Sequence, residues 1–107
     1  MSPVLKIDAQ MNASQQEVVL GDSFEIRLEE NPTTGYRWRL RPLESKAITV
    51  ESDTYQLEHV AVGGGGVRTW KMLTHEVGTV EIHAECVRAA GSSAARTFDV
   101  TIRIQSK

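Results

Sequence analysis

Three histidines, His59, His75 and His83, and a single cysteine, Cys86, are the side chains of this 107-residue chain best suited to metal binding or nucleophilic catalysis. His83 and Glu85 alternate along one predicted strand, so they project from the same face, as a pair of metal ligands would. The other reading is a solvated outer face of mixed polar residues, which is what such positions usually are. Cys86 would become a nucleophile if a histidine activated it. It shares its phase with Val80, Ile82 and Ala84, which turns it inward as a small apolar residue. The serines lack the Gly-x-Ser-x-Gly setting of a nucleophile elbow. None of this builds an enzyme, and neither a metal nor a cofactor is expected.

Gly63-Gly64-Gly65-Gly66 is the next candidate. A phosphate cradle requires a following Lys-Ser or Lys-Thr pair and a helix N-terminus. Val67-Arg68-Thr69-Trp70 follows instead and reads as a strand. Two readings stay open: a hairpin tip, or a bare backbone that lies close against another surface. Arg37, Arg39 and Arg41 form an outward stripe on one strand, expected to pair across the sheet with Glu25, Glu29 and other acids. The net charge of −2 and a pI near 5.9 give no support for nucleic-acid binding.

The elements that must carry these residues repeat with a period of two. Phe24, Ile26 and Leu28 alternate with Glu25, Arg27 and Glu29; Tyr36, Trp38 and Leu40 alternate with arginines. Val80 to Cys86 and Phe98 to Ile104 do the same. These are half-buried strands. Weaker strands are expected over Val4 to Ala9, Glu17 to Leu20, Ile48 to Tyr55 and Val67 to Thr74. Glycine-rich turns separate them, and no window holds a helical period; Val87 to Arg96 is broken by Gly91. Trp38 is expected in the core, while the periodicity leaves the burial of Trp70 open. About seven or eight amphipathic strands in one domain, residues 1–107, argue for an all-β antiparallel sandwich. One cysteine rules out an intrachain disulfide. The start, Met-Ser-Pro-Val-Leu-Lys, has no apolar signal region, so the chain is either cytoplasmic or a periplasmic or secreted protein whose signal has been removed. No apolar run approaches the roughly 20 residues of a membrane span.

The connection Asn31-Pro32-Thr33-Thr34-Gly35-Tyr36 is richer than a hairpin requires. It holds a proline that fixes one φ, two hydroxyls and a glycine that turns. Over-specified loops on rigid sheets are where binding surfaces lie. If strands alternate in direction, this loop, Gly63 to Gly66 and Ala89 to Ala95 share one end of the sandwich.

With Trp38 two residues beyond Tyr36, and Gly63 to Gly66 later in the chain, the sequence resembles the chagasin family, protein inhibitors of papain-like cysteine proteases. The resemblance runs over nearly the whole length. It implies an immunoglobulin-like sandwich whose three loops at one end form a wedge that enters the protease cleft. Asn31, Pro32, Thr33, Thr34, Gly35 and Tyr36 would form its centre, with Thr33 and Thr34 nearest the enzyme's cysteine. Gly63, Gly64, Gly65 and Gly66 would line one side of the cleft. The third loop of the family carries Arg-Pro-Trp or a similar aromatic; here the match is Arg88-Ala89-Ala90. A truncated aromatic anchor costs on the order of 2 kcal/mol, or about thirtyfold in affinity. The expected partner is a papain-like protease, bound reversibly by a monomer. The competing reading is a non-inhibitory immunoglobulin-like module that binds another protein or a glycan through the same end.

Overall fold

A computed structural model of the chain describes residues 4–31, 34–57, 65–88 and 93–107. Eight strands occupy most of them: β1 (Leu5–Ile7), β2 (Ser14–Val19), β3 (Ser23–Glu30), β4 (Arg37–Leu40), β5 (Ile48–Leu57), β6 (Gly66–Thr74), β7 (Gly78–Val87) and β8 (Arg96–Gln105). They form two four-stranded sheets, ordered β1-β3-β6-β5 and β2-β8-β7-β4. The alternating residues meet between the sheets. Phe24, Ile26, Leu28, Trp70 and Met72 face Ile82, Ala84, Phe98, Ile102 and Ile104, all almost free of solvent. Trp38 and Cys86 lie in the same core, as their phase requires. Trp70, whose phase left its burial open, is 1% exposed.

The sandwich differs from the sequence reading in four respects. Its sheets are mixed: β1 pairs in parallel with β3, and β2 in parallel with β8. Both parallel strands are edges, and both lead directly into the opposite sheet, so neither needs a hairpin return. The first strand stops at Ile7, because Asp8 caps a 3₁₀ turn over Ala9–Met11 with its side chain on the Gln10 N–H, 3.0 Å. The second begins at Ser14, three residues before the apolar pattern, carried by its register on Val100 to Arg103 of β8.

The fourth difference concerns the connection after β3. It is a crossover between sheets, not a hairpin: β3 pairs with β6, and β4 pairs with β7. Glu25 and Glu29 therefore lie in the other sheet from the arginine stripe. Arg39 stands opposite Glu85, and Arg41 Nε reaches Glu85 Oε1 at 3.0 Å. Period two shows which face a residue takes; it does not show which strand becomes its neighbour.

Register fixes the ends of the sandwich. Glu30, Gly66 and Leu57 are aligned across β3, β6 and β5. Arg37 is aligned with Val87, and Cys86 with Arg96. The three connections β3–β4, β5–β6 and β7–β8 thus leave from one end. The turn at Gly21-Asp22 and the strand ends Thr74 and Gly78 lie at the other.

Candidate functional site

The three-loop end is built around the carbonyl of Asn31. It accepts the Thr34 N–H at 3.2 Å and the Thr34 hydroxyl at 2.7 Å. The same hydroxyl oxygen receives the Tyr36 N–H at 3.4 Å. A threonine hydroxyl bonded to nearby backbone closes a turn without secondary structure. The Thr34 hydroxyl proton is thereby used inside the loop, which leaves its methyl and remaining lone pair for a partner. Gly35 takes φ of +83°, the left-handed region that costs any L residue strain. Tyr36 is half-buried and packs on the core. Pro32 and Thr33 lie outside the described residues.

Arg88 leaves the end of β7 and turns back toward this loop. Its guanidinium lies 5.4 Å from the centre of the Tyr36 ring, and Nη2 is 3.5 Å from the Thr34 carbonyl oxygen. The central and third loops are thus in contact through one arginine. Ala89 and Ala90 lie outside the described residues.

On the other side, Gly63 and Gly64 lie outside the described residues, while Gly65 is half-buried. Gly66 is the first residue of β6 and is buried. Tyr55 covers it: a Cβ there would fall 2.5 Å from the tyrosine hydroxyl oxygen and closer still to the Gln56 carbonyl. That tyrosine donates to the Glu30 carbonyl at 3.3 Å. Gly66 therefore acts through close packing of the hairpin, whereas Gly65 stands at its edge.

Beneath the loops lies an ion pair that the sequence reading missed. Glu30 is 3% exposed. Its Oε1 accepts the Trp38 N–H at 2.6 Å and Arg68 Nε at 3.0 Å; its Oε2 accepts Arg68 Nη2 at 2.9 Å. Arg68 Nη1 continues to Asp53 at 2.7 Å, and its guanidinium lies 5.8 Å from the Tyr55 ring centre. The bidentate bond to Glu30, reinforced by Asp53, lifts the Arg68 guanidinium above its already basic range against the opposing effect of burial. Its folded-state pKa is raised, so on the alkaline side the associated stability is lost only as pH rises through and beyond the ordinary arginine range. The signal for this pair was present. Glu30 keeps the inward phase of Phe24, Ile26 and Leu28, and Arg68 that of Trp70 and Met72.

The carbonyl of Glu29 is a second anchor. It accepts Trp38 Nε1 at 2.8 Å and Arg96 Nη2 at 3.2 Å. The Arg96 guanidinium lies 5.3 Å from the Trp38 ring centre. A cleft of about 320 Å³ opens between Glu29, Glu30 and Asn31 on one side and Gly65, Gly66 and Val67 on the other, with Arg96 at its margin.

The described residues weighed for catalysis do not form a catalytic group here. Cys86 is buried. His83 pairs through Nδ1 with Asp99 on the outer face of β7 and β8. His75 bonds Thr49 at 2.8 Å, at the end remote from the loops. His59 lies outside the described residues. Among the described residues, no three His, Cys, Asp or Glu side chains come together as metal ligands would.

Comparison with known proteins agrees with this architecture. Residues 17–102 match the family model described as chagasin family peptidase inhibitor I42. Chagasin of Trypanosoma cruzi is 28% identical over 89 residues, which cover 78% of this chain and 80% of chagasin. The crystal structure of a cysteine protease inhibitor from Entamoeba histolytica superposes with a TM-score of 0.86 at 21% identity, covering 95% of this chain and 96% of that one. An inhibitor solved in complex with falcipain-2 gives a TM-score of 0.64 at 17% identity, over 95% of this chain and 91% of its own. With the loop motif, the eight-strand sandwich and a family match over most of its length in agreement, the chain belongs to the chagasin family of peptidase inhibitors.

Proposed function

We propose that the three-loop end of this sandwich enters the active-site cleft of a papain-like cysteine protease and blocks it reversibly, with no covalent chemistry and no catalysis of its own. The observation that carries this reading is the convergence of three separate connections on one end, held by bonds between them. A cleft that accepts an extended peptide would receive the Asn31 to Tyr36 loop, with Thr33 and Thr34 toward the enzyme's cysteine. Gly63, Gly64 and Gly65 would follow one wall, and Gly66 would hold their hairpin in shape. Arg88, Ala89 and Ala90 would face the other wall. Because the strands fix the roots of the loops, less conformational entropy is left to lose on binding than for free segments. The structural neighbour solved in complex with falcipain-2 is a precedent for a protease partner. Residues 1–107 would act as one inhibitory domain.

Titration of papain and a panel of cathepsin-like enzymes tests the proposal. The expected result is inhibition at micromolar concentration or tighter, with the inhibitor recovered uncut. Binding that persists undiminished when the protease cleft is covalently blocked would overturn cleft insertion and favour a different partner at the same end.

A further inference from the structure

We infer that Glu30 and Arg68, with Arg96 beside them, are positioning residues that set the angle between the central loop and the glycine hairpin. The inference rests on the proposed inhibitory role for its consequence, though its geometry stands on the protein alone. The bonds within Asn31 to Tyr36 fix the local shape of that loop. They do not fix how the loop stands relative to its neighbours. Its backbone and roots are instead gripped by three guanidinium groups from three other places in the fold. Arg68 of β6 holds the Glu30 carboxylate with two bonds. Arg96 of β8 holds the Glu29 carbonyl. Arg88 beyond β7 reaches the Thr34 carbonyl. Each guanidinium also lies over an aromatic ring: Tyr55, Trp38 and Tyr36 respectively.

The chemistry argues for geometry over mere cohesion. Replacing a buried ion pair with apolar side chains is often neutral or stabilising, so Glu30–Arg68 is a poor device for stability alone. A bidentate pair does fix orientation, because both carboxylate oxygens are placed. Here Oε1 also receives the Trp38 N–H, which sets where β4 begins after the crossover. One carboxylate thus joins the strand entering the central loop, the strand leaving it and the strand leaving the glycine hairpin. The cleft between those two loops has Glu30 among its walls, so its width follows from the pair.

The test uses the full chain and two variants: Glu30→Gln with Arg68→Met, which removes both charges but keeps an acceptor for Trp38, and Arg96→Met, which keeps the stem on the tryptophan. Arg68→Lys serves as the conservative comparison, retaining charge without the fork. Backbone amide relaxation of Thr34, Gly35, Tyr36 and Gly65 is measured in the free protein, alongside thermal unfolding and inhibition of papain. In folded variants the order parameters are expected to fall from about 0.85 toward about 0.6, and the inhibition constant to rise about tenfold or more. Arg68→Lys should recover only part of the loss. Thr74→Val, a destabilising change at the far end, should lower the unfolding temperature but move neither loop order nor inhibition. If the double variant fails to fold, Arg96→Met carries the same test. Wild-type order parameters in the folded variants overturn the positioning role, whatever the inhibition. Lost loop order beside a wild-type chain that inhibits no protease supports the positioning role and removes the inhibitory reading instead.

Discussion

Gly65 and Gly66 are adjacent and identical in type, yet their surroundings differ. A methyl group on Gly66 would collide with the Tyr55 hydroxyl and the Gln56 carbonyl, one of them main chain that cannot step aside. Among the described residues, a methyl group on Gly65 would meet only the Glu30 carbonyl, at 4.0 Å. Gly66→Ala is therefore expected to cost about 1–3 kcal/mol by overpacking, while Gly65→Ala, half-buried but without a clash, stays within about 0.5 kcal/mol. Urea unfolding of the two variants reads the difference in midpoint. Equal midpoints would mean that the tyrosine does not lie over β6. A run of four glycines shows that a backbone is bare; only the register of β5 on β6 shows which of them is covered.

At the scale of the elements, the strands were legible wherever apolar and charged residues alternate, as in Phe24 to Glu30 and Phe98 to Ile104. What alternation could not supply was partnership. The Arg41–Glu85 pair spans 44 positions, and Glu30–Arg68 spans 38. The site divides the same way. Its central loop announced itself by residue type, whereas the ties beneath it join residues far apart in sequence, and a charged residue at a strand end reads most simply as solvated. β2 escaped in part because Ser14, Gln15 and Gln16 carry no apolar signal and are strand only by pairing with β8. The far end offers a control for the site. Thr74 is 2% exposed; its hydroxyl oxygen accepts the Gly21 N–H at 2.9 Å and its O–H donates to the Asp22 carbonyl at 3.0 Å. Thr74→Val keeps the shape and deletes both bonds, so it should cost about 1 kcal/mol or more and lower Tm by several degrees. Inhibition measured well below that Tm should be unchanged, since the bonds lie a full strand length from the loops. A parallel loss of inhibition would couple the two ends and contradict a locally held site.

For the molecule as a whole, strand direction decides how a partner approaches. β3, β5 and β7 run toward the three loops, and β4, β6 and β8 run away from them. β1 runs with β3 from its start at Phe24, so Leu5 begins at the far end. β8 finishes opposite Gly78, so Gln105 ends there too. Both ends of the described chain thus lie at the pole opposite the loops, in a body of 44 × 32 × 22 Å. A protease seated on the loops would have a strand length, about 25–30 Å, between itself and either end of the described chain. A folded domain fused before Met1 or after Lys107 should therefore leave the inhibition constant within about twofold, as attachments at surface termini usually do. A short glycine-serine segment inserted within residues 89–92 should weaken inhibition about tenfold or more, because it adds disorder that binding must then remove. The two measurements separate end-on from side-on approach. The ten-residue β5 is the longer of the two edge strands of its sheet. If terminal fusions impair inhibition as severely as the loop insertion does, the protease lies along such an edge, and the wedge gives way to strand addition.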